Sequence, residues 1–598
     1  MLDDIENAGN LVDLFLQRAD AKGDAPFLGY KQEGVWRTIS WREVSDRVCL
    51  LAEHLRKLGL RDGDRVVIVS ENRPEWCIAD LAIMAAGCIS TPAYTTNTEA
   101  DHCHILDDSG ASAVIVSSGK LAKPLFPAIM STGKARHVIV MEGISTAQSG
   151  TFDLHRWDAL LEGDAVAARK AVDERIAGIK RSDTACIIYT SGTSGSPRGV
   201  MQPHGAVLCN VAGAAEVLIE DFGIDDDRFL SFLPLSHAYE HSGGQFLPIG
   251  VGAEIYYSEG LEKLASNIEE VRPTLMVVVP RLFEVLRTRI MKQVEKQGKF
   301  ANYLMDRALT ISNAAAERGG KRLRDRPMDM VLERTLRPKI RRKFGGRMKA
   351  MVSGGAPLNP EVGNFFDAMG LVMLQGYGQT ESGPVVSCNR PKAGLKMDTV
   401  GPPLRGVEVK IAEDGEILVK GELVMNGYWQ RPEDTERTVA DGWLHTGDVG
   451  HIDEKGRIKI TDRKKDIIVN DKGDNVAPQK LEGMLTLQPE ISQAMIVGDK
   501  RPYMVALIVP DPEWVQQWAK DNCQTTDLAA LKEHSGFRSA IKGAIDRTNQ
   551  SLSVVEKVRK FELADEAFTT ENEQMTPTMK IRRHQIREIY GDRLDALY

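Results

Sequence analysis

A short apolar run, Ile187 to Tyr189, passes directly into a loop of hydroxyl side chains and glycines that closes with one cation, Arg198. Glycine lets the backbone fold so that several N–H groups point into one concavity, and such a concavity suits an anion. Hydroxyl groups add donors, and a guanidinium adds a planar, permanent charge that fits phosphate. The residues concerned are Thr190, Ser191, Gly192, Thr193, Ser194, Gly195 and Arg198. Their types and spacing predict a polyphosphate site.

A flexible linker is the main alternative for this loop, because Gly/Ser-rich segments are often unstructured. The apolar run before the loop and a helix expected after Pro203 both favour an ordered site. The ordinary P-loop pattern does not apply, since no Gly-Lys-Ser/Thr closes the glycines at the required spacing.

Further motifs of glycine and polar residues are spread along the chain. Gly354, Gly355, Ala356 and Pro357 follow an apolar run and permit close backbone approach to a flat ligand. His237 ends an apolar stretch, a setting in which histidine is more often structural than functional. The remaining motifs are Gln375-Gly376-Tyr377-Gly378-Gln379-Thr380-Glu381, Asp441 to Asp448, Thr461 to Asp466 and Met575 to Ile581. Each is compatible with a surface loop when taken singly, but the combination is specific.

Together with the phosphate loop, these motifs resemble those of the adenylate-forming superfamily, which includes acyl-CoA synthetases, luciferases and the adenylation domains of peptide synthetases. The resemblance spans essentially the whole chain, and it is closest to the AMP-forming long-chain fatty acid–CoA ligases. The superfamily usually carries lysine where this chain has Arg198. The departure keeps the charge but changes its geometry.

The resemblance implies a role for each matching residue. Tyr377 would stack on adenine, Thr380 would hydrogen-bond the α-phosphate, and Glu381 with Thr193 would hold Mg²⁺. Asp448 would accept both ribose hydroxyls. The implied catalytic residues are Lys580, Glu381, Thr380 and His237, and the implied hinge is Lys465. The implied nucleotide-binding residues are Thr190, Ser191, Gly192, Thr193, Ser194, Gly195, Arg198, Gly354, Gly355, Ala356, Pro357, Gln375, Gly376, Tyr377, Gly378, Thr380, Asp448 and Arg463.

The activity implied by the resemblance has two steps. A carboxylic acid reacts with ATP to give acyl-AMP and pyrophosphate, and the acyl group then passes to coenzyme A as a thioester. ATP, Mg²⁺ and coenzyme A are therefore the expected cofactors and co-substrates. A long-chain fatty acid is the expected acid, because Leu235-Ser236-His237 and the segment Arg272 to Phe283 resemble the corresponding regions of long-chain synthetases.

Two other functions stay open at this point. One is a ligase for another acid (aryl, bile or medium-chain), or transfer of the acyl group to a carrier protein. The other is a non-catalytic homologue that binds fatty acid or is recruited to membranes. The presence of Thr380, Glu381, Asp448 and Lys580 argues against a catalytically inactive protein.

The elements needed to position these residues follow from hydrophobic periodicity. Strand and helix patterns alternate from Val66 through Val140, which indicates an α/β layered fold with largely parallel sheets. By resemblance, residues 1–462 form a large N-terminal domain of layered sheets and helices that binds ATP and the acyl substrate. Residues 463–598 form a small, mobile C-terminal α/β lid with the hinge at its start.

Composition limits the class of protein. A chain of 598 residues with 42% hydrophobic and 27% charged residues predicts two or more globular domains. The net charge of −8 gives no reason to expect nucleic acid as a partner. Eight scattered cysteines indicate reduced thiols and a cytoplasmic location. We expect neither a signal peptide at the acidic N-terminus nor a transmembrane helix.

Residues 317–349 are strongly basic. A solvated pair of helices is the simpler interpretation. The alternative is peripheral contact with anionic lipid at the inner face of a membrane, since closely placed cations attract such a surface. The sequence also leaves a homodimer open as the oligomeric state.

Overall fold

The computed structural model describes residues 1–143, 151–190, 197–318, 322–576 and 580–598, with the side chains of 316, 317 and 324 left out. The strands in these ranges are β1 (Pro26–Gln32), β2 (Val35–Ser40), β3 (Arg65–Val69), β4 (Ile89–Ala93), β5 (Ala113–Val116), β6 (His137–Val140), β7 (Asp153–Arg156), β8 (Thr184–Thr190), β9 (Arg198–Pro203), β10 (Arg228–Ser231), β11 (Glu254–Tyr257), β12 (Leu275–Val278), β13 (Ala350–Ser353), β14 (Met373–Gly378), β15 (Val385–Cys388), β16 (Glu408–Ile411), β17 (Glu416–Lys420), β18 (Gly427–Tyr428), β19 (Val439–Ala440), β20 (Trp443–Ile452), β21 (Ile458–Arg463), β22 (Ile468–Val469), β23 (Asn475–Val476), β24 (Ile491–Val497), β25 (Met504–Pro510) and β26 (Val558–Leu563).

The helices in the same ranges are α1 (Leu2–Asn7), α2 (Leu11–Lys22), α3 (Trp41–Lys57), α4 (Pro74–Ala85), α5 (Glu99–Ser109), α6 (Gly119–Thr132), α7 (Ala165–Ile176), α8 (His204–Asp221), α9 (Ala238–Glu240), α10 (Leu247–Val251), α11 (Leu264–Val271), α12 (Pro280–Lys296), α13 (Lys299–Arg318), α14 (Arg326–Arg334), α15 (Arg337–Lys343), α16 (Pro360–Ala368), α17 (Pro432–Thr438), α18 (Pro478–Leu485), α19 (Pro512–Asp521), α20 (Leu528–Lys532), α21 (Ser535–Asn549) and α22 (Arg583–Asp595). A π-helical turn, His241–Phe246, joins α9 to α10. Within the described ranges, no helix is long and apolar enough to cross a bilayer.

Local sequence signals explain many of these boundaries. Ser40 caps α3 by accepting a hydrogen bond from the Glu43 N–H, which satisfies one free donor of the first turn. Glu33 and Gly34 take positive φ in the turn between β1 and β2, as a tight hairpin requires. The helix expected after Pro203 is α8, and the apolar stretch from Cys77 to Ala93 is a buried helix that runs into β4.

Two large sheets form the N-terminal part of the chain. The described strands of the first follow the order β18-β9-β8-β4-β3-β5-β6-β7, and those of the second follow β15-β14-β13-β12-β10-β11-β1-β2. The central strands are parallel, and antiparallel pairs occur at the edges. Every residue of β5 and of β12 is buried, as expected where helices cover both faces of a parallel sheet. The predicted α/β layered fold is confirmed.

The predicted phosphate loop connects two antiparallel strands, β8 and β9, in which Thr190 pairs with Arg198. Strand β9 lies between the loop and α8. The sequence pattern predicted the helix but did not predict this strand. A third sheet, with described strands β16, β17, β20, β19 and β21, is antiparallel. It carries Asp448 on β20 and Arg463 at the end of β21.

The residues from Ile468 onward form their own hydrophobic clusters. The sheet β24-β25-β26 packs one apolar cluster on each face, with Ala494, Met504 and Ile508 on one side and Met495, Val505 and Leu507 on the other. This smaller unit touches the large one at several points. Lys292 forms an ion pair with Glu513, and Asn359 Nδ2 donates to the Gly483 carbonyl at 3.4 Å.

Candidate functional site

The candidate site is built from segments that leave the carboxyl ends of strands in both large sheets, the usual location of ligands in α/β folds. Strand β13 leads into Gly354, β14 leads into Thr380 and Glu381, and β10 leads into the loop before His237. In sequence, these segments are separated by many residues, and the sheets bring them together.

Asp448 is the buried carboxylate of the site, with 3% of its surface exposed. The Tyr377 hydroxyl donates to Oδ2 at 2.8 Å, and Arg463 Nε donates to Oδ1 at 2.8 Å. Burial and the neighbouring Asp448 charge raise the pKa of Tyr377, so the phenol stays protonated and donates. Because an ionised carboxylate offers about four acceptor positions, Asp448 keeps room for further donors.

Glu381 lies in the short 3₁₀ turn Thr380–Ser382 that follows β14. Its Oε1 accepts a hydrogen bond from the Tyr428 hydroxyl at 2.8 Å. The backbone of the turn is fixed from two sides, because Gln202 Nε2 donates to the Thr380 carbonyl at 2.8 Å and the Met425 N–H donates to the Glu381 carbonyl at 3.0 Å.

Arg198 is described at the end of the phosphate loop. Its guanidinium carbon lies 4.1 Å from the centre of the Tyr428 ring, and Nη1 lies 3.6 Å from Asp434 Oδ2. Thr190 is described on the opposite strand of the hairpin. The other loop residues of the prediction, Ser191, Gly192, Thr193, Ser194 and Gly195, lie outside the described residues.

His237 caps α9, and its Nδ1 accepts a hydrogen bond from the Tyr239 N–H at 3.2 Å. An accepting Nδ1 in a neutral ring leaves the proton on Nε2. Burial, together with the positive charge of Lys580, lowers the pKa of His237 to about 3. The imidazole is therefore neutral and can donate from Nε2 at physiological pH.

Lys580 comes from the C-terminal unit, yet the charges of Arg463, Asp448 and Glu381 on the large side of the site shift the pKa of its ammonium. The side chain remains accessible to solvent within the cleft. Desolvation by the cleft walls and repulsion by Arg463 lower the pKa of Lys580 to about 8, against the opposing pull of the carboxylates. The backbone is held by Thr576, which accepts at Oγ1 from the Lys580 N–H at 3.0 Å.

Lys465 lies in the turn after β21, where the Asp466 N–H donates to the Arg463 carbonyl at 3.0 Å. The preceding residue, Lys464, is tied to the large unit because its ammonium contacts Asp414 at 2.6 Å and Glu416 at 2.7 Å. The predicted hinge residue, Lys465, therefore directly follows Lys464, which is anchored to the large unit.

Close packing explains the glycines of two predicted motifs. A Cβ at Gly354 would lie 2.7 Å from the Tyr239 ring, and a Cβ at Gly378 would lie 1.7 Å from the Pro384 carbonyl oxygen. Gly355 has a φ of +80° and opens the turn that continues through exposed Ala356 and Pro357. Gln375 and Gly376 lie in β14 beside these segments.

Sequence reasoning missed Asn72, which holds the segment before His237. Its Nδ2 donates to Ser231 Oγ at 3.0 Å and to the Leu233 carbonyl at 2.6 Å, and its Oδ1 accepts from the Leu235 N–H at 3.1 Å. The available signal was a polar residue just after the buried strand β3. Tyr428 and Gln202 were also not singled out as site residues.

Among the residues that the structure describes, no group of three or more His, Cys, Asp or Glu side chains could hold a metal ion by itself. Mg²⁺ in nucleotide sites is typically held by one or two carboxylates and by substrate phosphates. Glu381, with one oxygen engaged by Tyr428, fits that single-carboxylate arrangement. Thr193, the other predicted metal ligand, lies outside the described residues.

Comparison with known proteins gives matches over nearly the whole chain. The family described as AMP-binding enzyme matches residues 15–429, and the AMP-binding enzyme C-terminal domain matches residues 465–598. The long-chain-fatty-acid–CoA ligase FadD15 of Mycobacterium bovis is 33% identical, covering 96% of this chain and 95% of its own. Long chain acyl-CoA synthetase 1 of Arabidopsis thaliana is 30% identical, with coverage of 98% and 92%.

Solved structures share the fold at lower identity. The adenylation domain of a carboxylate reductase from Mycobacterium chelonae superposes with a TM-score of 0.76 at 22% identity, covering 100% of this chain and 92% of that one. The anthranilate CoA ligase AuaEII, in complex with anthranoyl-AMP, gives a TM-score of 0.69 at 20% identity, with 98% coverage of both chains.

Proposed function

The chain belongs to the AMP-binding enzyme family, and from that premise we propose that it is a long-chain fatty acid–CoA ligase. It converts a fatty acid and ATP into acyl-AMP and pyrophosphate, and then transfers the acyl group to coenzyme A. The choice of a long-chain fatty acid is supported by relatives that are long-chain fatty acid–CoA ligases and match over nearly their full length.

The observation that carries the proposal is the convergence of charge in one cleft. Lys580 of the C-terminal unit shares the site with Asp448, Glu381 and His237 of the large unit. A cation, two carboxylates and a neutral donor on four separate segments suit a reaction that moves negative charge between a carboxylate and a triphosphate.

In the first step, a carboxylate oxygen of the acid forms a bond to the α-phosphorus while the bond to pyrophosphate breaks. Lys580, still largely protonated at neutral pH, stabilises charge shared by the carboxylate and the α-phosphate. Thr380 hydrogen-bonds the α-phosphate, and His237 Nε2 donates toward the acid. Arg198 offsets charge on the departing pyrophosphate.

The nucleoside is held by groups that the fold fixes in advance. Asp448 accepts the ribose hydroxyls with the lone pairs that Tyr377 and Arg463 leave free. The backbone at Gly354 to Pro357 and at Gln375 to Gly378 forms the adenine pocket. Mg²⁺, when bound by Glu381 and Thr193, neutralises phosphate charge.

In the second step, the coenzyme A thiol attacks the acyl carbon and AMP leaves. We propose that residues 463–598 act as a lid that turns about Lys465 between the two steps, so that water stays away from the mixed anhydride. The contacts of Lys464 with Asp414 and Glu416 on the large unit support a pivot at the next residue, Lys465.

The acyl chain is proposed to run beside the start of α12, where Arg281, Leu282 and Phe283 follow β12. The experiment that tests the function measures ATP-dependent pyrophosphate release and CoA thioester formation against acids graded in length, with aryl acids included. Long-chain thioester as the main product is expected. Pyrophosphate release with aryl acids alone would assign the second enzymatic candidate, a ligase for another acid, and release with no acid would remove the proposal.

We further propose peripheral contact with anionic membrane through part of the basic segment 317–349. Several of its cations are internally engaged: Arg337 is 3% exposed and pairs with Asp329 and Glu333, and Arg341 also pairs with Glu333. By contrast, α14 and the turn before it expose three apolar side chains among arginines. These are Leu323, Met330 and Val331, with Arg322, Arg326 and Arg334.

Apolar side chains flanked by cations are the composition that lies well at an anionic lipid surface. A long-chain acid partitions into membranes, so a docked ligase would meet its substrate there. A cytoplasmic location is part of the same proposal and accords with eight free thiols, all within the described ranges.

A further inference from the structure

Tyr428 contacts two site residues that serve different ligands. Its side chain is 3% exposed, and β18, on which it lies, pairs with β9 so that Tyr428 faces Val200. Arg198 stacks over the ring at 4.1 Å, and the hydroxyl donates to Glu381 Oε1 at 2.8 Å. One rigid ring therefore spans the cation of the phosphate loop and the carboxylate after β14.

The contact suits arginine in particular. A guanidinium is planar and can lie flat on an aromatic ring while its N–H groups remain in the plane. The Arg198 guanidinium carbon lies over the Tyr428 ring at 4.1 Å from its centre, and Nη1 lies 3.6 Å from Asp434 Oδ2. A lysine ammonium at this position would keep the charge but would lack a planar group to place over the ring.

We propose that Tyr428 is a positioning residue that couples Arg198 to Glu381, and that this coupling requires arginine at position 198. The ring fixes the direction of the guanidinium, and the hydroxyl fixes one carboxylate oxygen so that the other faces the phosphates. The inference rests on the proposed function, since its ligands are the phosphates of ATP and a divalent cation.

The test measures binding of a non-hydrolysable ATP analogue by isothermal titration calorimetry, with and without Mg²⁺. Tyr428→Leu removes ring and hydroxyl and should weaken binding about tenfold without Mg²⁺. Arg198→Lys should cost a similar factor. Adding Tyr428→Leu to Arg198→Lys should then cost less than about twofold, because the contact is already lost.

Tyr428→Phe separates the two halves of the contact. The ring still supports Arg198, so metal-free binding should stay within about twofold of wild type. The Mg²⁺ concentration for half-maximal enhancement of binding should rise about tenfold, as expected when a partner that orients a metal ligand is lost.

Tyr256 provides a matched control outside these contacts. Its hydroxyl donates to Glu254 at 2.9 Å and Arg228 lies over its ring at 5.5 Å, so Tyr256→Phe removes the same kind of hydrogen bond and should leave both binding measurements unchanged.

Additive effects of Arg198→Lys and Tyr428→Leu, or an unchanged Mg²⁺ requirement in Tyr428→Phe, would overturn the coupling. Absence of ATP-analogue binding by the wild-type protein would instead overturn the proposed function, so the two failures are distinguishable.

Discussion

At the scale of single residues, the site depends on groups whose charge and direction are set by neighbours. Asp448 is held by Tyr377 and Arg463, and Lys580 is placed where its ammonium is partly desolvated. The chemistry of each group therefore follows from its contacts more than from its type.

Asp448→Ala should raise the KM for ATP roughly 10- to 100-fold, because hydrogen bonds to a charged group contribute about 1.5–3 kcal/mol and act in both ground and transition states. Steady-state kinetics with varied ATP measures this. Asp414→Ala is the control. It also removes a carboxylate near the turn after β21, but that carboxylate pairs with Lys464 and not with Arg463. An ATP dependence equal to wild type would remove Asp448 from the nucleotide site.

The rate of acyl-AMP formation should decrease at alkaline pH, because Lys580 loses its proton there. The ammonium is the active form, so kcat/KM for adenylation should hold below pH 8 and fall as pH rises through the pKa of about 8. In Lys580→Arg, whose side chain stays charged, the fall should disappear below pH 10 even if the rate is lower.

Lys580→Ala should lose roughly 10²- to 10³-fold in adenylation, yet it should convert supplied acyl-AMP and coenzyme A to thioester at a substantial rate. An alkaline fall that persists in Lys580→Arg would assign the titration to another group.

At the scale of elements, the site depends on how loops after strands are held. Asn72 bonds to both sides of the turn that follows β10, and this turn sets where α9 begins and where His237 points. The turn at residues 463–466, after β21, would position the proposed lid in the same way.

Asn72→Ala should reduce kcat/KM for adenylation about 10- to 100-fold, because displacement of a positioned group by about 1 Å can cost that much. In a His237→Ala background the same change should cost little, since the group being positioned is absent. Asn267→Ala is the matched control: Asn267 similarly holds the loop after β11 through Ser258 and Glu259. If Asn72→Ala lowers kcat/KM equally in the wild-type and His237→Ala backgrounds, Asn72 supports the fold and does not position His237.

Lys465→Pro should separate the half-reactions, because proline fixes φ near −65° and removes an N–H at the proposed pivot. Adenylation should largely survive while thioester formation collapses. Lys465→Ala, which leaves the backbone free, should support both steps. Parallel losses of both steps in folded Lys465→Pro protein, judged by circular dichroism, would contradict the rotating lid.

At the scale of the whole molecule, the proposed function involves two units and, for the proposed membrane contact, one exposed helical face. The smaller unit has its own cores and delivers Lys580 to a cleft of the larger one.

The α14 face should bind anionic vesicles in a salt-sensitive way. Arg326→Gln with Arg334→Gln removes two cations, each contributing about 1 kcal/mol near the surface, so partitioning should fall roughly thirtyfold. Lys339→Gln with Arg342→Gln on α15 carries the same charge change and should have little effect. If the protein sediments equally with anionic and neutral vesicles at low salt, the membrane proposal is wrong and this face of α14 is simply solvated.

The sequence by itself determined the family and the layered α/β fold, and it predicted the chemistry of the separate motifs. The signals behind them are local: glycine and hydroxyl composition predicts a phosphate loop, periodicity predicts strands and helices, and a cap such as Ser40 sets a helix start. Such signals act over a few residues, so they can be read without knowing the packing.

Only the tertiary structure decided which groups hold the site in place. Tyr428 meets Glu381 across 47 residues of sequence, and Asn72 meets Ser231 across 159. A local hydrophobic pattern cannot predict such pairs, because strand order and loop packing bring the two residues together. For the same reason, the sequence showed a run of cations at 317–349, while the fold decided that Arg337 is buried in ion pairs and that Arg326 and Arg334 face solvent.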